Sequence, residues 1–225
     1  MGKIIVLMGK SACGKDTIFK LLQQEESLNL QRIVTYTTRP EREGEENGRE
    51  YFFVTAQQFE KMRVQGQVIE YRTYQTVHGP WTYFTAQDGQ LDLERGSFLL
   101  IATLEAYNSF VRYFGKEKVL PVMVTLEDGT RLQRALDRER AQEKPRYEEM
   151  CRRFLADSED FSQENIAKAG IDRSFENRKL SDCVREICDY IREGLNHDNE
   201  CKREGHVSAR DALRVYMSGE RRIGS

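Results

Sequence analysis

Residues 9–17 read Gly-Lys-Ser-Ala-Cys-Gly-Lys-Asp-Thr, with two glycines bracketing four residues and a lysine after the second. Successive backbone N–H groups of such a loop can curl around phosphate oxygens at the positive end of a helix. Gly9 and Gly14 permit the backbone conformations this requires, and Lys15 offsets the charge of β- and γ-phosphates. Lys10, Ser11, Ala12 and Cys13 complete the loop, and Thr17 adds a hydroxyl at the helix start. The usual loop continues from lysine to Ser or Thr, whereas this chain has Asp16. A carboxylate there can hold Mg²⁺, directly or through water, because that ion accepts few protein ligands. It can equally be a helix-start acid favoured by the dipole. Neither role disables the loop.

Two more groups of residues carry chemical potential. Arg39 and Arg42 flank a proline turn in Thr-Thr-Arg-Pro-Glu-Arg-Glu-Gly. Two guanidiniums on a rigid turn can grip a monophosphate bidentately, although the same Arg–Glu mixture suits a solvated loop. Glu70 closes the otherwise apolar stretch Val68-Ile69. A carboxylate at that point can accept from adjacent N–H donors, such as the N1–H and exocyclic amine of guanine. It can also be a plain strand-end acid.

The elements that must position these groups follow from periodicity. Lys3–Met8 is a short, β-branched, apolar run ended by Gly9, as in a buried strand, and Asp16 to Glu26 has helical spacing. Strand, loop and helix in that order are the context a phosphate loop needs. Residues 35–96 change character. A loop punctuated by Pro40, Gly44 and Gly48 leads to strand-like Tyr51–Val54, a helix from Thr55, and strand-like Val68–Tyr74. Ser97–Thr103 and Val119–Thr125 read as further strands with a crossover helix over Leu104–Phe114. This alternation predicts a parallel sheet with right-handed crossovers. From Asp128 to Ile166 the pattern is helical and highly charged, with a break at Pro145. The block 138–146 has almost no apolar residue and is expected to form a mobile flap rather than core. Asp172–Phe175 reads as a last strand, and Leu180, Val184, Ile187 and Ile191 mark a closing amphipathic helix. A second amphipathic helix is expected over 208–217, packed on its own domain.

Composition narrows the class. Thirty-five basic residues against 37 acidic ones leave a net charge of −2, so there is no global field for nucleic acid. Five irregularly spaced cysteines without a CxxC favour reduced thiols in the cytoplasm over a disulfide framework or zinc site. No stretch approaches the ~20 apolar residues of a membrane span.

Together these residues resemble the guanylate kinase family, P-loop enzymes that phosphorylate GMP or dGMP with ATP. The resemblance runs over about residues 3–193 and is most specific in TTRPEREGEENGREYFFV followed by GQVIE. It implies an α/β P-loop NTPase fold whose parallel sheet is flanked by helices, with an inserted small α+β lobe and a mobile lid. The implied divisions are a core of 1–34, 97–136 and 154–195, an acceptor lobe of 35–96, a lid of 137–153 and an extension of 196–225. Thr35, Arg39, Arg42 and Tyr51 match the family's contacts to GMP phosphate and base, and Glu70 its guanine-reading carboxylate. Tyr83 would touch phosphate and Thr85 the guanine O6; Arg138 and Arg153 would close over the transferring phosphoryl group; Asn177 matches an adenine-side asparagine. Lys15 and the rest of the loop would hold ATP with Mg²⁺. The implied partners are these nucleotides alone, for a monomer or homodimer without nucleic acid or membrane.

The chain departs from the family pattern in four places. Phe84 replaces a glycine, residues are added around QTVHGPW and around AQEKPR, and Ile101 and Thr103 stand where a strand motif carries aspartates. Asp16 is then the carboxylate expected to compensate beside Mg²⁺. The GKD loop and the missing aspartate pair are shared with ribose 1,5-bisphosphate phosphokinase, a rival reading that lacks the lobe pattern and Glu70. A non-catalytic guanylate-kinase-like binding module is the other rival; such modules have degraded phosphate loops, whereas Gly9, Gly14 and Lys15 are intact here.

Overall fold

Strand β1 (Ile4–Met8) is buried at every residue and sits at the centre of a five-stranded parallel sheet. In the computed structural model, which describes residues 1–76 and 79–196, the sheet order is β2-β7-β1-β8-β9. Its other strands are β2 (Leu30–Arg32), β7 (Ser97–Ile101), β8 (Val119–Thr125) and β9 (Ser174–Glu176). A strand covered on both faces can be apolar throughout, and the two-residue period of β1 shows how. Ile4, Val6 and Met8 pack into one apolar cluster with Phe98, Leu104 and Phe110. Ile5 and Leu7 pack into another with Ile18, Leu22 and Ile187.

Helices cover both faces. Helix α1 (Lys15–Gln24) and the closing helix α7, over 180–196, lie on the Ile5 side. Helix α3 (Leu104–Phe114) lies on the Ile4 side and buries Leu104, Ala106, Tyr107 and Phe110. It starts at Thr103, whose hydroxyl accepts from the Ala106 N–H, so the strand expected over 97–103 ends at Ile101. The remaining helices are α2 (Ala56–Val64), α4 (Asp128–Arg140), α5 (Tyr147–Asp160) and α6 (Gln163–Lys168).

The lobe is a separate four-stranded sheet of order β4-β3-β6-β5, formed by β3 (Tyr36–Thr37), β4 (Phe52–Phe53), β5 (Val68–Thr76) and β6 (Gly79–Ala86). It has its own apolar cluster of Tyr36, Phe84 and Ala86, supported by Phe59 and Met62 from α2. Thr55 caps α2 in a capping box with Gln58. Phe84 stacks on Tyr36 at 4.9 Å, so the ring that replaces the family's glycine is core.

Several boundaries moved. The strand expected over 51–54 is only Phe52–Phe53, with Tyr51 in an isolated bridge to Asn47. The last strand is Ser174–Glu176 rather than 172–175. Strands β2 and β6 had no sequence signal: β2 is three residues long, and the Gly79-Pro80 start of β6 reads as a turn. The helix expected over 208–217 lies outside the described residues. Among those residues no helix is long and apolar enough to cross a membrane.

Candidate active site

Two glycines shape the phosphate loop for different reasons. A Cβ on Gly9 would stand 2.3 Å from the Val124 carbonyl oxygen, which a backbone atom cannot vacate. Gly14 is left-handed (φ 93°) and caps the start of α1. Ala12 is also left-handed (φ 61°), a conformation that costs roughly 1–2 kcal/mol for a residue with a Cβ. Such strain persists only where the surroundings impose it.

The loop is braced from behind by three side chains. Arg131 is 1% exposed and donates to the Ser11 carbonyl (3.0 Å), to Asp128 and to Asp157 (3.2 Å). Its guanidinium also lies 4.8 Å over the Phe154 ring. Asp157 accepts the Ser11 N–H at 2.6 Å. Asn177, buried, donates to the Cys13 carbonyl at 2.8 Å. The residue expected to contact adenine therefore has a clear structural role, since its amide holds the loop backbone. Arg131 and Asp157 were not picked out by sequence reasoning, because each looks like a solvated charge on a helix. Cys13 is buried under the loop, and desolvation pushes its thiol pKa up, so it stays a neutral packing group.

On the lobe side Thr35, Tyr51, Glu70, Tyr83 and Thr85, the residues expected to meet the acceptor, line one cavity of about 500 Å³. Strands β5 and β6 pair Glu70 with Thr85 in register, and the Thr85 hydroxyl donates to the Glu70 carboxylate at 2.7 Å. Burial raises the Glu70 carboxyl pKa, against the opposing pull of the Thr85 hydrogen bond. Leu100, Ile101, Ala102 and Ala106 add apolar lining, with Thr103 among them.

Arg39 and Arg42 take up different positions. The buried guanidinium of Arg39 is bidentate on Glu45, at 2.9 Å through both nitrogens, and lies 5.6 Å from the Tyr51 ring centroid. That pairing is the largest cause of its raised pKa, and it lowers the Glu45 carboxyl in turn. Arg42 is exposed, and only its backbone N–H reaches Glu45. Neither arginine lines the acceptor cavity itself.

A second cavity, about 510 Å³, joins the loop to the first. Gly9, Ser11, Lys15 and Arg153 line it, and it shares Arg72, Tyr74, Ile101 and Thr103 with the acceptor cavity. A third, of about 680 Å³, lies under the charged segment and is lined by Ser11, Arg138, Lys144, Arg146 and Arg153. Arg152 and Arg153 both donate to Glu149, which holds that carboxyl down to about 2. Helix α5 runs unbroken through residue 153, so Arg153 is carried by the same helix that holds Asp157 on the loop.

Asp16 is exposed on the first turn of α1, next to Lys15. Among the described residues no group of three or more His, Cys, Asp or Glu is arranged around a metal. A single carboxylate beside a phosphate loop suits Mg²⁺, which takes one or two protein oxygens and completes its shell with phosphate and water.

A family model described as guanylate kinase matches residues 1–83, a span that holds the loop, Arg39, Tyr51, Glu70 and Tyr83. The guanylate kinase of Wolbachia sp. subsp. Brugia malayi is 44% identical over 79 residues, covering 35% of this chain and 40% of that protein. That of Fusobacterium nucleatum is 33% identical over 101 residues, covering 45% of this chain and 52% of that protein. The chain thus spans about half or less of the length of these curated relatives. The crystal structure of guanylate kinase from Anaplasma phagocytophilum superposes with a TM-score of 0.56 at 22% identity, over 85% of both chains. The fold is that of a guanylate kinase. The family-model match ends at residue 83, so Thr85, Arg138, Arg153 and Asn177 lie beyond it.

Proposed function

We propose that this chain transfers the γ-phosphoryl group of ATP to GMP or dGMP. The observation that carries the reading is the continuity of the cavities: Lys15 faces a cleft that shares its walls with the cavity holding Glu70 and Thr85. Nucleoside monophosphate phosphorylation needs little covalent help, because the acceptor oxygen is already anionic. Positioning and offset of charge perform the catalysis.

The roles follow from placement. Loop N–H groups and Lys15 hold the ATP phosphates, with Arg131, Asp157 and Asn177 keeping the loop in shape. Glu70 accepts from the guanine N1–H and amine, and the Thr85 hydroxyl meets the base edge beside it. Thr35, Tyr51 and Tyr83 supply hydroxyls for the acceptor phosphate, and Arg39 adds its charge from behind Tyr51. Arg138 and Arg153 line the cavity on the lid side, where closure excludes water. Asp16 would hold Mg²⁺, which when bound offsets charge on the β- and γ-phosphates. The buried or unpaired thiols of Cys13, Cys151, Cys183 and Cys188 favour a reducing compartment, the cytoplasm.

A coupled assay of ADP release across GMP, dGMP, AMP, UMP and ribose 1,5-bisphosphate tests the reading. GMP and dGMP are expected to be turned over. Turnover with the sugar bisphosphate alone would sink it, and no ATP affinity by calorimetry would make the chain a binding module.

A further inference from the structure

The acceptor cavity has a charge problem. A phosphate monoester brings close to two negative charges near neutral pH. Yet Arg39 lies outside the cavity, its charge shared with Glu45, and Arg42 faces solvent. Among the described residues, the one cationic side chain lining the acceptor cavity is Arg72. The same guanidinium lines the cleft that contains Lys15 and Arg153. It therefore faces both the acceptor and the group in transit.

Its placement follows from β5. The two-residue period puts Arg72 on the strand face that carries Glu70, and its register partner across the hairpin is Tyr83. A base read by Glu70 thus has Arg72 one step along the strand. Arg72 is held by Glu105 at 2.6 Å, but Glu105 is 72% exposed on α3 and lines neither cavity. Surface pairs of this kind are weak and screened by salt, so a phosphate dianion can take the guanidinium from its carboxylate. The adjoining end of β7 is Ile101, an apolar side chain that offers no competing charge.

We propose that Arg72 is a further catalytic residue, which leaves Glu105 to bind the acceptor phosphate and the phosphoryl group moving onto it. In that step an acceptor phosphate oxygen bonds to the γ-phosphorus as the bond to the ADP oxygen breaks. Arg72 stays protonated throughout and only donates hydrogen bonds. The inference rests on the acceptor reading above.

The test compares wild type, Arg72→Gln, Arg72→Lys and Glu105→Gln in two measurements: GMP binding by calorimetry without ATP, and steady-state turnover of GMP. Arg72→Gln is expected to weaken GMP binding and lower kcat/KM about 100-fold, the scale of losing one transition-state donor. Arg72→Lys restores part of both, and Glu105→Gln retains wild-type turnover because the cation remains. If Arg72 only ties β5 to α3, Glu105→Gln loses as much as Arg72→Gln, and the proposal is overturned. Unchanged kinetics in a folded Arg72→Lys and Arg72→Gln pair overturn it too. A wild type that neither binds nor phosphorylates GMP overturns the acceptor reading instead.

Discussion

Asp16 and Glu70 show how one carboxylate takes its meaning from its surroundings. Asp16 is exposed at a helix start, and a merely dipole-favoured acid there would be replaceable. If it holds Mg²⁺, Asp16→Ser should raise the Mg²⁺ concentration for half-maximal ATP turnover by about tenfold, the lower end of losing a metal contact. An unchanged Mg²⁺ titration would reduce Asp16 to a helix-start acid. Glu70 is the opposite case, a carboxylate that the fold desolvates. Its folded pKa lies above the unfolded value, so the neutral form is the one favoured by folding. The protein gains from this below the unfolded pKa, and the gain is lost as pH rises through the folded pKa. Above its folded pKa the ligand-free protein carries this desolvated charge at a cost, which the proposed guanine contact would offset. Glu70→Gln should raise the Tm of the ligand-free protein at pH 7 while lowering its GMP activity. The wild-type kcat/KM for GMP should also fall with acid at a pH above the ordinary glutamate value. A lowered Tm in Glu70→Gln would show that the carboxylate serves the fold instead.

Helices α4 and α5 look interchangeable with any solvated, charged pair, yet one of their arginines is the most deeply placed charge in the described structure. Arg131 is fixed by Asp157 from α5, by Asp128 from its own helix and by the Ser11 carbonyl. Arg131→Met is expected to destabilise by about 3 kcal/mol, because Asp157 is left without its cation. Were Arg131 a surface charge, the change in urea unfolding would stay within about 0.5 kcal/mol. This contrast marks the limit of what the sequence disclosed. Loop, β1 and α1 are contiguous and each has a local signature, so glycine spacing and apolar runs were enough. Helix α3 and strand β8 were legible for the same reason. The brace behind the loop joins residues 11, 131, 157 and 177, which only the folded sheet brings together. Strand β6 escaped notice because its pairing with β5, not its Gly79-Pro80 start, makes it a strand. Within the site, Thr35, Tyr51, Glu70, Tyr83 and Thr85 do converge on one cavity. The reach of Arg39 was not legible, since Glu45 decides where its guanidinium points, and Arg42 meets Glu45 through its backbone alone.

At the scale of the whole molecule, the chain divides into a sheet that carries the loop and a lobe that, under the proposed function, would read the acceptor. The lobe has its own apolar cluster, while Ile69 of β5 packs into the main core and ties the two parts together. The cavities meet along the line where the two parts face each other, at Arg72, Tyr74 and the end of β7. With Ile101 and Thr103 in place of aspartates, that part of the wall carries no charge, so under the proposed function base selection would fall chiefly on Glu70 and Thr85. The measurement that bears most directly on this account is kcat/KM for GMP and for AMP in wild type and in Glu70→Gln. A wild-type preference for GMP that collapses about 100-fold or more in Glu70→Gln, with AMP turnover unmoved, is the predicted result; removing a buried partner of a substrate N–H has effects of that order. Equal use of AMP and GMP by the wild type, or a GMP preference that survives Glu70→Gln, would contradict it.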